Sequence, residues 1–272
     1  MREKQVSQAR LASKDPARIK RGIDTLDALS RLARVPGMRL HPWMRHDRTD
    51  IRWLPINRDI ELPGDTPVPL AILEMLIGQA SHRVIHDICG CRTGCGCERH
   101  PHDIGCLLMG DSAIESDPDT CREVDVVEAL EHARRAVETG LVPVVGKVRV
   151  DNTIFGIKER RRLLTVCFCC DCCCITRFTR HTPVRHLESL FPRLDGISVS
   201  VNEKCDGCGD CVDRCYIGAI RMVEKKAVIG ERCRACGRCA TVCPRDAVRV
   251  SIDDPAFAEK AIERIRAHVK YD

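Results

Sequence analysis

The sequence predicts an α+β protein in two parts: a helical, loop-rich, cysteine-rich N-terminal domain and a small pseudo-twofold C-terminal domain of βαβ type. Three observations predict it. Apolar residues recur at helical spacing in several separate segments. The residues from Cys205 repeat themselves from Cys233, 28 positions later. Cysteines number 20 in 272 residues while aromatics make up only 3%. Burial therefore falls to Val, Ile, Leu and Ala, and the core is thin for this length unless thiols tie the chain together. The expected boundaries are a basic helical arm over 1–53, a cysteine-rich domain over 54–190, the repeat domain over 198–252 and a C-terminal helix over 253–272.

Along the chain, Asp15 is an N-cap and Pro16 occupies the first helical position. Ile19, Ile23, Leu26, Leu29 and Leu32 follow at helical spacing until Pro36-Gly37 ends the run. Residues 38–68 are rich in Arg and Pro, have no clear period and read mainly as loop. A second helix begins near Pro69, with Ile72, Leu73, Leu76, Ala80 and Val84 on its apolar face. It leads into "CGCRTGCGCERHPHDIGC", a loop by composition. A third helix fits 126–139, where Asp125 and Glu128 match a capping box and Gly140 stands where a C′ glycine belongs. "LVPVVGKVRVD" reads as strand or turn, residues 163–168 as extended and 175–197 as linker. "ISVSVNEKC" alternates like a short strand. The last helix starts at Asp254-Pro255 and carries Phe257, Ala261, Ile262, Ile265 and Val269 on one side.

The internal repeat is the most specific signal. "CDGCGDCVDRCYIGAIRM" and "CRACGRCATVCPRDAVRV" each read C-x2-C-x2-C-x3-C, and Pro244 follows the second. Three thiolates spaced by two residues can wrap one face of an iron–sulfur cube on a tight loop. The fourth points away and closes the other cube. Cys205, Cys208, Cys211 and Cys243 are thus expected to hold one [4Fe-4S] cluster, and Cys233, Cys236, Cys239 and Cys215 a second. Gly207, Gly209 and Gly237 suit a loop whose amides approach the sulfides closely. Zinc favours paired C-x2-C sets over two runs of four. The segment 199–252 resembles a bacterial two-[4Fe-4S] ferredoxin domain, with Tyr216 standing where Pro is frequent. That resemblance implies a pair of one-electron carriers close enough for fast transfer between them.

The remaining thiols fall into two groups. The first is Cys89, Cys91, Cys95, Cys97, Cys106 and Cys121. The second is the octet "CFCCDCCC", residues 167–174, with Cys167, Cys169, Cys170, Cys172, Cys173 and Cys174. C-x-C pairs place two sulfurs on one side of an extended chain, within reach of one metal. Cys106 sits where a helix could start, Arg92 beside Cys91 could offset cluster charge, and Cys121 is undecided between ligand and buried thiol. An extended octet would turn Cys170, Cys172 and Cys174 to one side and Cys167, Cys169 and Cys173 to the other. One cube needs only four external ligands. The octet therefore lies at a seam between two clusters with partners from Cys89–Cys106, or binds one larger non-cubane assembly, or holds zinc or reduced thiols. His100, His102 and Asp103 are candidate ligands or proton donors, or a polar turn around Pro101.

The spacing C-x-C-R-x2-C-x-C-x3-P-x4-C-L, "EALEHARRAVETGLVP" and "CFCCDCC" together resemble a poorly characterised family of cysteine-rich ferredoxin-like proteins of anaerobes, over about 55–250. Pro143 stands where that family often has His. The resemblance implies an iron–sulfur protein and no particular activity.

The N-terminus is charged and has no apolar segment of the secretory kind. No apolar run approaches the ~18–20 residues that span a bilayer. A cytoplasmic setting is expected, where so many cysteines point to metal rather than disulfides, and an anaerobic one, since such centres are oxygen-sensitive. The net charge is only +5, but residues 1–53 are enriched in Lys and Arg, which suits docking to an acidic redox partner. No helix-turn-helix, dinucleotide or flavin signature is present, so no nucleic-acid partner is expected. The expected function is single-electron transfer between redox partners, with two C-terminal clusters and one or two further N-terminal ones. The alternative is an oxidoreductase subunit whose N-terminal cysteines hold a non-cubane or open-site catalytic cluster.

Overall fold

The computed structural model describes residues 15–35, 50–55, 68–147, 151, 154–159 and 161–272. The first helix, α1 (Pro16–Leu32), starts as its sequence dictates: the Asp15 carboxylate accepts from the amides of Ala17 and Arg18. The Pro36-Gly37 stop, the first fourteen residues of the basic arm and most of the expected 38–68 loop lie outside the described residues.

Among the described residues the N-terminal part carries, besides its helices, a six-stranded antiparallel sheet in the order β1-β5-β6-β3-β2-β4. The strands are β1 (Asp50–Trp53), β2 (Arg83–His86), β3 (Leu107–Met109), β4 (Cys121–Glu123), β5 (Val142–Lys147) and β6 (Leu164–Cys169). Several are only three or four residues long, and β3 is buried throughout. Such short, wholly apolar runs have no alternation to read, because both faces of the sheet are covered. Ile85, Leu107, Met109 and Val166 join the main core, whereas Val84 and Leu108 join a smaller one with Phe155, Ile157 and Leu163. Cys106 precedes a strand where a helix start was expected, and within the 38–68 stretch Asp50–Trp53 form β1, paired with β5 from Asp50↔Lys147 to Trp53↔Val144.

Two helices pack on each other beside this sheet: α2 (Val68–Gln79) and α4 (Val126–Glu138). The Asp125 carboxylate accepts from the Glu128 amide, and Gly140 is left-handed, as the capping pattern predicts. Between β2 and β3 the chain forms α3 (Gly90–Cys95), correcting the expected loop. Helix α1 lies against α3 so closely that a Cβ on Gly94 would come 2.9 Å from the Pro16 carbonyl oxygen. The described part of the basic arm is therefore docked on the first cysteine group.

The expected linker also carries structure, a 3-10 segment at Ile175–His181 and α5 (Val184–Leu190). The C-terminal unit then runs β7 (Ile197–Val201), α6 (Asp210–Arg214), β8 (Ile220–Val223), β9 (Lys226–Ile229), α7 (Arg238–Thr241) and β10 (Val248–Ile252). Strand β7 pairs antiparallel with β10, and β8 with β9. The β8–β9 turn puts both Glu224 and Lys225 in the left-handed region, the geometry that matches a two-residue hairpin to strand twist. The last helix, α8 (Phe257–His268), buries Phe257, Ala261, Ile262 and Ile265 and packs against α2. Beyond it the Tyr271 hydroxyl donates to Gln79 Oε1 at 3.0 Å. Among the described residues no helix is long and apolar enough to cross a membrane.

Candidate metal centres

The repeat folds into two four-thiol recesses. One, of about 310 Å³, is lined by Cys205, Cys208, Cys211 and Cys243. The other, of about 370 Å³, is lined by Cys215, Cys233, Cys236 and Cys239. Each run of three thus meets the fourth cysteine of the opposite half. Main-chain amides point at the sulfurs in a repeated way. Ala219 donates to Cys215 Sγ at 3.2 Å and its repeat partner Ala247 to Cys243 Sγ at 3.3 Å. Ala235 donates to Cys233 Sγ at 3.4 Å and Ala227 to Cys205 Sγ at 3.5 Å. Gly209 and Gly237, left-handed N-caps of α6 and α7, turn the loops. Gly207 is left-handed as well, and a Cβ there would lie 2.4 Å from the Lys225 carbonyl oxygen.

This donor set fits an iron–sulfur cluster in each recess: thiolates on all sides, amides aimed at sulfur and apolar walls. Burial pushes the Cys236 thiol up to about 12 and raises Cys211, Cys233 and Cys239 as well. Burial thus favours the protonated thiols, and a bound cationic centre would favour the thiolates. The two recesses differ in setting. Cys208 is exposed, whereas the second recess is closed by Tyr216, buried to 3% exposure. The Tyr216 hydroxyl has no hydrogen-bond partner and feels the sulfurs of Cys236, Cys169 and Cys174.

The octet does not stay extended. Strand β6 ends at Cys169 and residues 170–174 bend, so strict alternation fails after Cys169. Its sulfurs separate into three groups. Cys167 meets Cys106 across β6–β3, Sγ to Sγ 3.4 Å. Cys174 lies 2.8 Å from Cys169, and its thiol also bonds Cys91, which in turn bonds Cys89. Cys170, Cys172 and Cys173 turn the other way and gather with Cys97, all four sulfurs within 4.8 Å of one another. Cys95 donates to the Cys173 carbonyl at 3.8 Å. Cys121 lies in the smaller core, against which Cys106 also packs, with the hydroxyls of Thr120 and Ser116 at its sulfur and its thiol pushed up to about 11 by burial.

Two charged side chains organise these thiols. Arg92 is fully buried and donates to the carbonyls of Pro101 and Phe168, each at 2.7 Å, and of Ile104. Burial works against its charge, but the surrounding thiols of Cys89, Cys170, Cys106 and Cys169 favour it. The Cys89 thiol falls to about 7, through its bond to Cys91 and, against burial, the Arg92 charge. Asp171, the one acid in the octet, has a side chain only 2% exposed. It meets Arg214 at 2.7 Å, His100 at 3.2 Å, Arg99 at 3.5 Å and Arg238 at 4.0 Å. Burial opposes its charge, yet His100, Arg214, Arg238 and Arg99 together hold it well below the usual carboxylate range.

Asp171 thus ties the octet to both short helices of the repeat, since Arg214 precedes Cys215 and Arg238 precedes Cys239. Arg238 also donates to the Cys169 carbonyl at 3.1 Å. Of the histidine stretch, His100 joins this hub, His102 bonds the Cys97 carbonyl at 2.7 Å and Asp103 pairs with Arg135. The hub was not legible in the sequence, because its members are separated by tens of residues and no local spacing links them.

Residues 204–251 match the family model of the 4Fe-4S dicluster domain. Among curated proteins and among solved structures no match to the chain was found. The match supports 4Fe-4S cluster binding by the C-terminal unit and does not extend to the thiols of Cys89–Cys174.

Proposed function

We propose that the protein relays single electrons between redox partners. Cys205, Cys208, Cys211 and Cys243 hold one [4Fe-4S] cluster, and Cys215, Cys233, Cys236 and Cys239 the other. A further iron–sulfur cluster on the N-terminal side draws on Cys89, Cys91, Cys169 and Cys174, a chain of sulfurs rather than one knot, in which Cys169 and Cys174, 2.8 Å apart, separate to take it up. When bound, such clusters supply reversible one-electron chemistry. The observation that carries this reading is the placement of the three thiol sets. The first recess reaches the surface at Cys208. The second backs onto Cys169 and Cys174 through Tyr216 and Arg238. The chain's own residues then act as insulation and bias: amide N–H groups and Arg92 stabilise negative charge, and buried apolar walls exclude water.

The basic residues of α1 are partly used internally. Arg31 pairs with Asp27, Lys20 with Asp24, and Arg34 donates to the carbonyls of Arg180 and His181. An acidic redox partner would meet the exposed cations left on this face. The domain limits 54–190, 198–252 and 253–272 form part of the same proposal.

The test is anaerobic purification with iron and acid-labile sulfide counts and EPR. About twelve sulfides per chain are expected, and about eight in a Cys169→Ser/Cys174→Ser variant. A wild-type count of about eight overturns the N-terminal cluster. Absence of [4Fe-4S] signals overturns the whole reading.

A further inference from the structure

We infer that Cys97, Cys170, Cys172 and Cys173 form a separate site for a single divalent metal ion of the zinc or ferrous type, not an iron–sulfur cluster. Sulfur spacing decides this. With a metal–sulfur bond of ~2.3 Å, four tetrahedral thiolates stand ~3.8 Å apart. Cys97 Sγ lies 3.5 Å from Cys172 Sγ, and Cys172 Sγ 3.6 Å from Cys173 Sγ. All four sulfurs fall within 4.8 Å of one another. Among the described residues it is the one set of four thiols with every sulfur this close, the compactness of a single-ion shell; a cubane carries an iron under each thiolate and needs its ligands further apart.

The surroundings are those of a built site. Cys170 is 1%, Cys97 8% and Cys173 9% exposed. The Cys173 amide donates to Cys170 Sγ at 3.2 Å, and the amides of Arg99 and His100 serve Cys97. The Arg99 guanidinium hydrogen-bonds Cys172. Four thiolates around a divalent ion leave two negative charges, and Arg99 with the Arg-rich hub at Asp171 stands next to them. Binding releases the thiol protons to solvent and changes no oxidation state. His100 is engaged by Asp171, so it orients the shell and is not counted as a ligand. The ion would pin residues 170–173 to the Cys97 loop and so fix Asp171 for its contact with the repeat domain.

The inference is independent of how many electrons the C-terminal domain carries, and its test separates the two. The full chain is purified anaerobically and its zinc, iron and sulfide are counted beside a Cys170→Ser/Cys173→Ser variant. The variant is expected to lose one metal equivalent per chain and no sulfide. Loss of zinc identifies a zinc site, and loss of one iron without sulfide a ferrous one. Loss of several irons together with sulfide refutes a single-ion site, as does unchanged metal content. If the variant does not fold, the wild-type protein is produced with cobalt. Tetrathiolate d–d and charge-transfer bands support the site, and their absence overturns it. Failure of the C-terminal reading shows separately, as missing sulfide in the wild type.

Discussion

Replacing Asp171 by Asn tests whether the octet is held to the repeat domain by charge. The carboxylate is nearly inaccessible and faces three guanidinium groups and His100. Stripping one partner from a buried ion pair costs about 3–5 kcal/mol. Arg214 and Arg99 are 41% and 51% exposed and can rehydrate, whereas Arg238 is 7% exposed and cannot. The low end, about 3 kcal/mol, is therefore expected. Arg214→Met removes only one of four partners, a half-exposed one, and should cost about 1 kcal/mol. With Asp171 already neutral, the loss of Arg214 costs little more, so the double variant should also lose about 3 kcal/mol, a coupling near 1 kcal/mol. Anaerobic urea unfolding followed by far-UV circular dichroism measures all three. Costs that add to within about 0.5 kcal/mol would refute the hub.

Three other outcomes follow from the same geometry. The Asp171 carboxyl is depressed when folded, so its stabilisation is complete above the unfolded value of about 3.9 and is lost only as pH falls through the folded one. The Asp171→Asn penalty should accordingly not fall between pH 7 and pH 5, and a penalty that shrinks over that interval contradicts the assigned shift. Gly207→Ala forces a Cβ onto the Lys225 carbonyl at 2.4 Å in a left-handed backbone. It should cost about 1–3 kcal/mol and lower occupancy of the Cys205 recess while sparing Cys215–Cys239, read as loss of about four irons. Cys121→Ser should leave iron, zinc and sulfide unchanged, because its sulfur is engaged by the hydroxyls of Thr120 and Ser116; a drop in any of them would make Cys121 a ligand.

The repeat was readable because the spacing of its cysteines is local. C-x2-C-x2-C-x3-C fixes sulfur positions on one loop, so the two recesses and the match over 204–251 follow the sequence spacing. Helices α1 and α4 were legible for a similar reason, since their caps and apolar stripes act within a few residues, whereas α2 ends at Gln79 with the expected face residues Ala80 and Val84 beyond it, Val84 on β2, and α8 starts at Phe257 without a side-chain cap. The six-stranded sheet was not, since strands such as Leu107–Met109 are stabilised by partners far along the chain. The octet divides along the same line. Its composition raised the expectation of metal, and its excess over one cube that of a divided role. Which sulfur goes with which partner depends on β6 ending at Cys169 and on Asp171 being drawn toward Arg214 and Arg238. Short-range spacing is written in sequence; long-range charge and strand pairing exist only once the chain has closed on itself.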